Sequence, residues 1–405
     1  MLIEFSVNNY RSIKGDLTLN MLSTGANAAP LSSVVLYGAN ASGKSNVLGA
    51  LKMMRAIVLN ESKVMLSTDE LQYNPFRLAS DSESAPTCFD VVFEQDSKKY
   101  KYGFSYDSGK IYSEYLMVYE SNRPTTIFEY EEQKGFKPNS KLTALKKFSQ
   151  NPNMLCLWEV DRRGVEYAKI VLKWFKDLVC VTFDSENGLR GAFSLSVLKF
   201  FDDPSKKALI SAFVHSADMG IKDVRRETFR KLLKGNKKSD ELNSLVVEYE
   251  SIQTVHDKFD KKKKKIGEVA FDLFEDESAG TKKLFIVMAL MLDALKNGNV
   301  LLLDEMDASL HPLLTRKLVE IFKDSSLNKK NAQLVFTSQD TNLLDMDLFK
   351  KEQVYFVEKN AVGETSLVSL VDYANIRSEK IEKNYILGKF GAIPNLGSFE
   401  FLNEV

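Results

Sequence analysis

The stretch Val34-Val35-Leu36-Tyr37-Gly38-Ala39-Asn40-Ala41-Ser42-Gly43-Lys44-Ser45-Asn46-Val47-Leu48 decides how the rest of the chain is read. A short apolar run stops at Gly38, as a buried strand does at its end. From Ser45 to Leu59 the apolar positions Val47, Leu48, Leu51, Met54, Ile57 and Val58 recur at helical spacing. Between strand and helix lies Gly38-x-x-x-x-Gly43-Lys44-Ser45, the spacing of a phosphate-cradling loop. Glycines let such a loop turn tightly enough for its N–H groups to face an anion. The helix that follows presents its electropositive end to the same charge. In this reading Lys44 reaches the β- and γ-phosphates and the Ser45 hydroxyl ligates Mg²⁺. The expected cofactors are ATP and Mg²⁺, with nucleotide contacts from Gly38, Asn40, Ser42, Gly43, Lys44, Ser45 and Asn46.

A matching carboxylate pair stands far downstream. Val300-Leu301-Leu302-Leu303-Asp304-Glu305 reads as a buried strand that delivers two acids to the carboxyl edge of a sheet, where α/β sheets bind ligands. Asp304 is the expected metal residue, acting through the water shell that Mg²⁺ keeps. Glu305 is the expected general base, polarising the attacking water. Lys44 and Glu305 are thus the candidate catalytic pair.

Around these motifs the pattern alternates. Leu2 to Val7, Val34 to Tyr37, Leu178 to Phe183, Val300 to Leu303, Gln333 to Thr337 and Val354 to Val357 read as strands. Ser278 to Lys296 and Pro312 to Phe322 read as helices. Alternation of this kind predicts an α/β fold with a mainly parallel sheet flanked by helices. Phe89 to Phe93, Lys99 to Tyr106 and Ile111 to Tyr119 add an antiparallel β lobe, with Asp107-Ser108-Gly109 as a hairpin turn. Ser140 to Ser216 reads as mostly helical. The expected organisation is an N-terminal lobe over 1–135, a mostly helical insertion over 136–220 and a C-terminal lobe over 221–405.

Glu277-Ser278-Ala279-Gly280-Thr281 precedes a long apolar helix, and Asp307-Ala308-Ser309-Leu310-His311-Pro312 follows the two acids. This order of motifs resembles the ABC-type P-loop ATPase heads of the SMC and RecF families. The resemblance implies that Ser278 and Gly280 touch the γ-phosphate bound on an opposite subunit, so that heads pair as a homodimer or higher homo-oligomer around ATP. A hydroxyl, a close backbone N–H and a helix start suit that contact. Ser278 is equally a good helix cap with nothing bound. Asn9-Tyr10-Arg11-Ser12 resembles the start of such heads, which makes Arg11 a nucleotide-contact candidate. Asp307 and His311 fall in the segment that crosses the dimer interface in these families. Tyr100 to Phe104, Ala217 to Ile221 and the tail Asn384 to Pro394 are similar to a compact bacterial group found in phage-defence and abortive-infection loci. That group includes RloA-like and AbiL-like proteins and the AriA ATPase subunit of PARIS systems. One departure stands out. Such heads usually carry histidine where Gln339 stands. Glutamine donates a hydrogen bond but carries no charge, so slow turnover is expected, with ATP acting more as a clamp than as fuel.

Two functions follow from the resemblance. The first is a nucleotide-dependent switch in anti-phage defence that controls a separate effector, a toxic nuclease of Toprim type, in response to a phage-encoded trigger. The second is a DNA-repair or DNA-organising ATPase of RecF kind that binds DNA directly. The balance of 55 basic and 55 acidic residues weighs mildly against the second, because proteins living by phosphate-backbone contacts are usually basic. Lys261 to Lys265 is a basic run without interleaved aromatics and reads as a solvated hairpin tip. Gln72, in a loop before Pro75-Phe76, is a candidate for coupling the metal to the first lobe, the alternative being a solvated loop glutamine. Cys88, Cys156 and Cys180 lack metal-ligand spacing and read as reduced thiols, and His215, His256 and His311 are scattered. No signal-peptide or membrane-spanning pattern is present, so a cytoplasmic location without membrane association is expected.

Overall fold

The computed structural model describes residues 1–25, 28–120, 123–142, 145, 151–183, 201, 203–216, 220–234, 244–373 and 381–394. The chain opens with β1 (Leu2–Asn8), β2 (Leu17–Asn20), β3 (Ser33–Tyr37), α1 (Lys44–Val58), β4 (Thr87–Gln95), β5 (Lys98–Tyr106), β6 (Ile111–Tyr119), β7 (Pro124–Glu131) and β8 (Gly135–Pro138). Then come α2 (Cys156–Arg162), α3 (Glu166–Asp177), β9 (Val179–Thr182), α4 (Pro204–Ser216), β10 (Ile221–Lys234), β11 (Ser244–Phe259) and β12 (Lys265–Asp272). The last part holds α5 (Ala279–Asn297), β13 (Val300–Asp304), α6 (Pro312–Lys323), β14 (Gln333–Ser338), β15 (Val354–Lys359), β16 (Thr365–Ser369) and α7 (Ile381–Ile386). Two compact units result. The first is Met1–Thr182 with Ala294–Asp307 and Thr315–Val405, and the second is Phe183–Asp293 with Ala308–Leu314.

The first unit contains two sheets. A six-stranded sheet runs β16-β15-β3-β14-β13-β9. Its pairs are parallel except β15 with β16, which is antiparallel. β3, β13 and β14 are buried along their whole length, as expected where both faces of a parallel sheet are covered. A seven-stranded antiparallel sheet runs β2-β1-β4-β5-β6-β7-β8. The sequence pattern foresaw four of its strands, β1 among them although its pattern alone does not join it to the antiparallel lobe; β2, β7 and β8 join them because a lone antiparallel ribbon would leave its apolar face in water. One hydrophobic cluster joins the two sheets with α1, α2 and α3, through Phe5, Leu36, Leu51, Met54, Phe93, Trp174, Leu302 and Val335 among others. Trp174 stacks on Phe93 with ring centroids 4.3 Å apart.

Buried amides pin one sheet to the other. Gln333, at the start of β14, accepts from the Leu2 N–H (2.5 Å) and donates to the Leu2 carbonyl (3.0 Å) and the Leu31 carbonyl (2.9 Å). Such a fully satisfied buried amide fixes register at little cost. The tail packs on the outer part of the six-stranded sheet. Phe356 of β15 stacks on Phe390 (4.7 Å) and on Tyr385 (5.4 Å), and the Tyr385 hydroxyl donates to the Ala392 carbonyl.

In the second unit β10, β11 and β12 form an antiparallel sheet with α4 packed on β10. Asp260 Oδ1 accepts the N–H groups of Lys262 (2.8 Å) and Lys264 (2.9 Å), which closes the turn between β11 and β12. The lysine run is therefore an exposed hairpin tip. Residues 217–219 of the Ala217-to-Ile221 motif lie outside the described residues. Among the described residues no helix is long and apolar enough to cross a membrane.

Candidate functional site

Gly38 ends β3 where the Val357 carbonyl and Ser42 Oγ occupy the space a Cβ would need. Gly43 caps α1 in the left-handed region, at φ 108°. A Cβ there would collide with the Thr365 side chain of β16. Close packing thus excludes a side chain at both glycines, and at Gly43 the positive φ does so as well. The loop is drawn in by further bonds. Thr365 Oγ1 donates to the Ser42 carbonyl (2.9 Å) and pairs with the Ser12 hydroxyl at 2.8 Å, and Asn46 Nδ2 donates to Ser12 Oγ (2.6 Å).

The loop from Asn40 to Asn46, with Glu305, Gln339 and Lys359, walls a cleft of about 430 Å³. That lies within the range of small-ligand clefts, roughly 300–1,000 Å³. Ser42 Oγ is buried in the loop with no hydrogen-bond partner among the described residues. The N–H groups of Asn46 (2.9 Å) and Val47 (3.2 Å) donate to the Gly43 carbonyl, and those before them in α1 have no intrahelical acceptor, as at any helix start. Lys44 is only 6% exposed, and its Nζ donates to the carbonyls of Gly38 (2.6 Å) and Ala39 (2.9 Å). Burial pulls its pKa below the ordinary lysine range, while the carboxylates of Asp304, Glu305 and Asp307 oppose that shift. An orphaned hydroxyl, glycines with no room for side chains and a buried ammonium together fit a bound phosphate chain.

β13 brings the acids to the same edge. Asp304 is buried, and its Oδ1 accepts from Thr337 Oγ1 at 2.7 Å. The Glu305 N–H donates to that same Thr337 oxygen at 2.6 Å. Glu305 itself has φ 51°, a left-handed conformation that non-glycine residues rarely adopt. Thr337, near the end of β14, therefore holds both acids through one hydroxyl. Asp307 Oδ2 accepts from Ser338 Oγ and from the N–H groups of Gln339 and Asp340, each at 2.9 Å. This fixes the backbone that carries Gln339. The hard oxygens of Ser45 and Asp304 are of the type that holds Mg²⁺, which takes few protein ligands and keeps its waters.

Other expected residues lie elsewhere. Arg11 is exposed beside the loop, at φ 50°, with its guanidinium 5.5 Å from the Tyr10 ring centroid; it does not line the cleft. Gln72 is exposed, and its carbonyl accepts from the Tyr106 hydroxyl. Ser278 and Gly280 belong to the second unit. There Ser278 Oγ accepts the Thr281 N–H (3.1 Å) and caps α5, and a Cβ on Gly280 would meet the Ser309 carbonyl at 2.7 Å. Glu277, just before them, is held by Thr254 Oγ1 (2.5 Å) and His256 Nε2 (2.8 Å).

Sequence reading missed Thr337, Thr365 and Lys359. Thr337 carried a faint signal, a polar residue closing an apolar strand. The other two carried none, because their place depends on pairings across most of the chain.

The phosphate loop on a parallel strand, facing two strand-end acids from the same sheet, defines a P-loop ATPase domain, a class that binds nucleotide with a divalent metal. The profile of one family, described as "AAA domain, putative AbiEii toxin, Type IV TA system", matches residues 33–149 and 183–345, more than half of the chain. The chain belongs to that family. A comparison with curated proteins found no match.

Proposed function

We propose that this protein is an ABC-type ATPase that works as a nucleotide-dependent switch in bacterial anti-phage defence, akin to the RloA-like, AbiL-like and PARIS ATPases. Lys44 binds the β- and γ-phosphates, and the loop N–H groups cradle them. Ser45 and Asp304 hold Mg²⁺, which neutralises phosphate charge. Glu305 polarises the attacking water, and Gln339 donates a neutral hydrogen bond to the γ-phosphate. Arg11 approaches the nucleotide from the flanking turn. Ser278 and Gly280 of a second copy close over the γ-phosphate, so that ATP glues heads together. Turnover is slow, and the closed assembly holds or releases a separate effector, a nuclease of Toprim type, when a phage-encoded trigger arrives. The observation that carries this reading is the shared cleft, in which the phosphate loop, Glu305 and Gln339 face one space. The family's description as a toxin-antitoxin AAA domain supports the defence context.

The test is a native mass spectrum of the Glu305→Gln protein, purified from its own host with ATP. Removing the base should trap ATP, since a charged group at a phosphoryl-transfer site commonly supplies on the order of 10³-fold in rate. A homomeric assembly carrying a second small protein supports the switch. A dimer holding only ATP and nucleic acid favours the RecF-like DNA-organising reading. Ser278→Arg should leave monomeric ATP binding intact and block assembly; persistence of the assembly would exclude the role of Ser278 across the interface.

A further inference from the structure

We infer that Lys359 is a further nucleotide-binding residue, whose ammonium contacts the phosphate chain; this rests on the ATP-binding reading of the cleft. Lys359 is the last residue of β15 and lines the cleft opposite no acid that pairs with it among the described residues. Lys44, the other lysine of the lining, is buried and already donates to two loop carbonyls. Lys359 is exposed, and its place relative to the loop is built in. Its register partner across the β15–β16 pair is Thr365. The Thr365 N–H donates to the Ser12 carbonyl (2.7 Å), and its hydroxyl donates to the Ser42 carbonyl of the phosphate loop. The Thr365 side chain also fills the space beside Gly43. The strand end that carries Lys359 is thus pinned to the loop that cradles phosphate.

The chemistry fits the neighbouring glutamine. Gln339 lines the same cleft and carries no charge. A highly anionic ligand there needs a compensating cation, and a flexible four-carbon stem lets an exposed lysine supply one. In this arrangement the cation comes from β15, on the other side of β3, rather than from β14, which ends just before Gln339.

Affinity for a fluorescent ATP analogue with Mg²⁺ would be measured on the full chain at low and moderate salt. Lys359→Ala should weaken binding on the order of 10-fold, the usual scale of a charge-assisted contact. It should also flatten the salt dependence, because one ionic contact is gone. Lys359→Arg should restore most of the affinity, and Lys359→Glu should weaken it further than alanine. These charge-graded responses separate a phosphate contact from a structural role, which the melting temperature without nucleotide would report. Wild-type affinity in Lys359→Ala, with Lys44→Ala defective, overturns the inference and leaves the ATP site standing. Absence of ATP binding by the wild-type protein overturns both.

Discussion

At the scale of single residues, Thr337 is the most consequential contact of the cleft's acid side. Its hydroxyl gives its proton to Asp304 and takes the N–H of Glu305. Glu305 is held in a left-handed conformation that costs about 1–2 kcal/mol for most residues, so something must hold it there. Thr337→Val keeps the shape and removes both bonds, leaving a buried carboxylate oxygen and an amide without this partner. The expected stability loss is about 1–3 kcal/mol. Turnover should fall at least tenfold while ATP affinity changes much less, because the loop itself is untouched. Steady-state hydrolysis set beside equilibrium binding checks this, and Thr337→Ser should recover most of the rate. Equal losses in rate and affinity would mean that Thr337 supports the whole cleft rather than the acids.

At the scale of elements, α1 and α2 each depend on what stands at their first turn. α1 begins at Gly43, whose positive φ and contact with Thr365 both exclude a side chain. Gly43→Ala should lower stability by about 1–3 kcal/mol and abolish nucleotide binding. Adding Thr365→Ala should recover part of the stability by clearing the collision, but not the part due to φ; thermal melts of the two variants measure the split. α2 begins under Glu114, which is fully buried on β6 and accepts the N–H groups of Cys156 and Leu157 (3.0 Å) and the Tyr102 hydroxyl (2.9 Å). Burial raises its pKa to about 7, and those hydrogen bonds limit the rise. The folded state therefore holds this proton more tightly than the unfolded chain does. Its contribution to stability is fully present below the unfolded pKa near 4.5 and is lost as pH rises through about 7. The loss is on the order of 3 kcal/mol. Glu114→Gln should flatten the melting temperature between pH 5 and 7.5, read by differential scanning fluorimetry. An unchanged pH profile would show that Glu114 is ionised throughout.

At the scale of the whole molecule, a nucleotide that binds only the folded chain stabilises it by mass action. ATP with Mg²⁺ at about 100 times its dissociation constant should add about 2.7 kcal/mol. Lys44→Ala should melt like the ligand-free protein at every ATP concentration. A melting temperature that ignores ATP in the wild type would remove the cleft from consideration as a nucleotide site.

The features legible in sequence are those whose cause is local. The glycine spacing of the loop, the apolar run that ends at Asp304, the helical period of α1 and the capping serine of α5 each arise within a few residues, where turn geometry and side-chain periodicity act. They were sufficient to place the phosphate loop and the two acids. The seven-stranded sheet was only partly visible, because β2, β7 and β8 owe their pairing to an exposed apolar face rather than to their own pattern. What the tertiary structure alone decided are contacts between residues hundreds of positions apart. Thr365 meets Ser12 across 353 positions, Gln333 meets Leu2 across 331, and Lys359 comes to the phosphate loop through the register of β15 and β16. Such partners follow from which strands lie side by side in the sheet. That order is set by burying the common core, and no short window of sequence carries it.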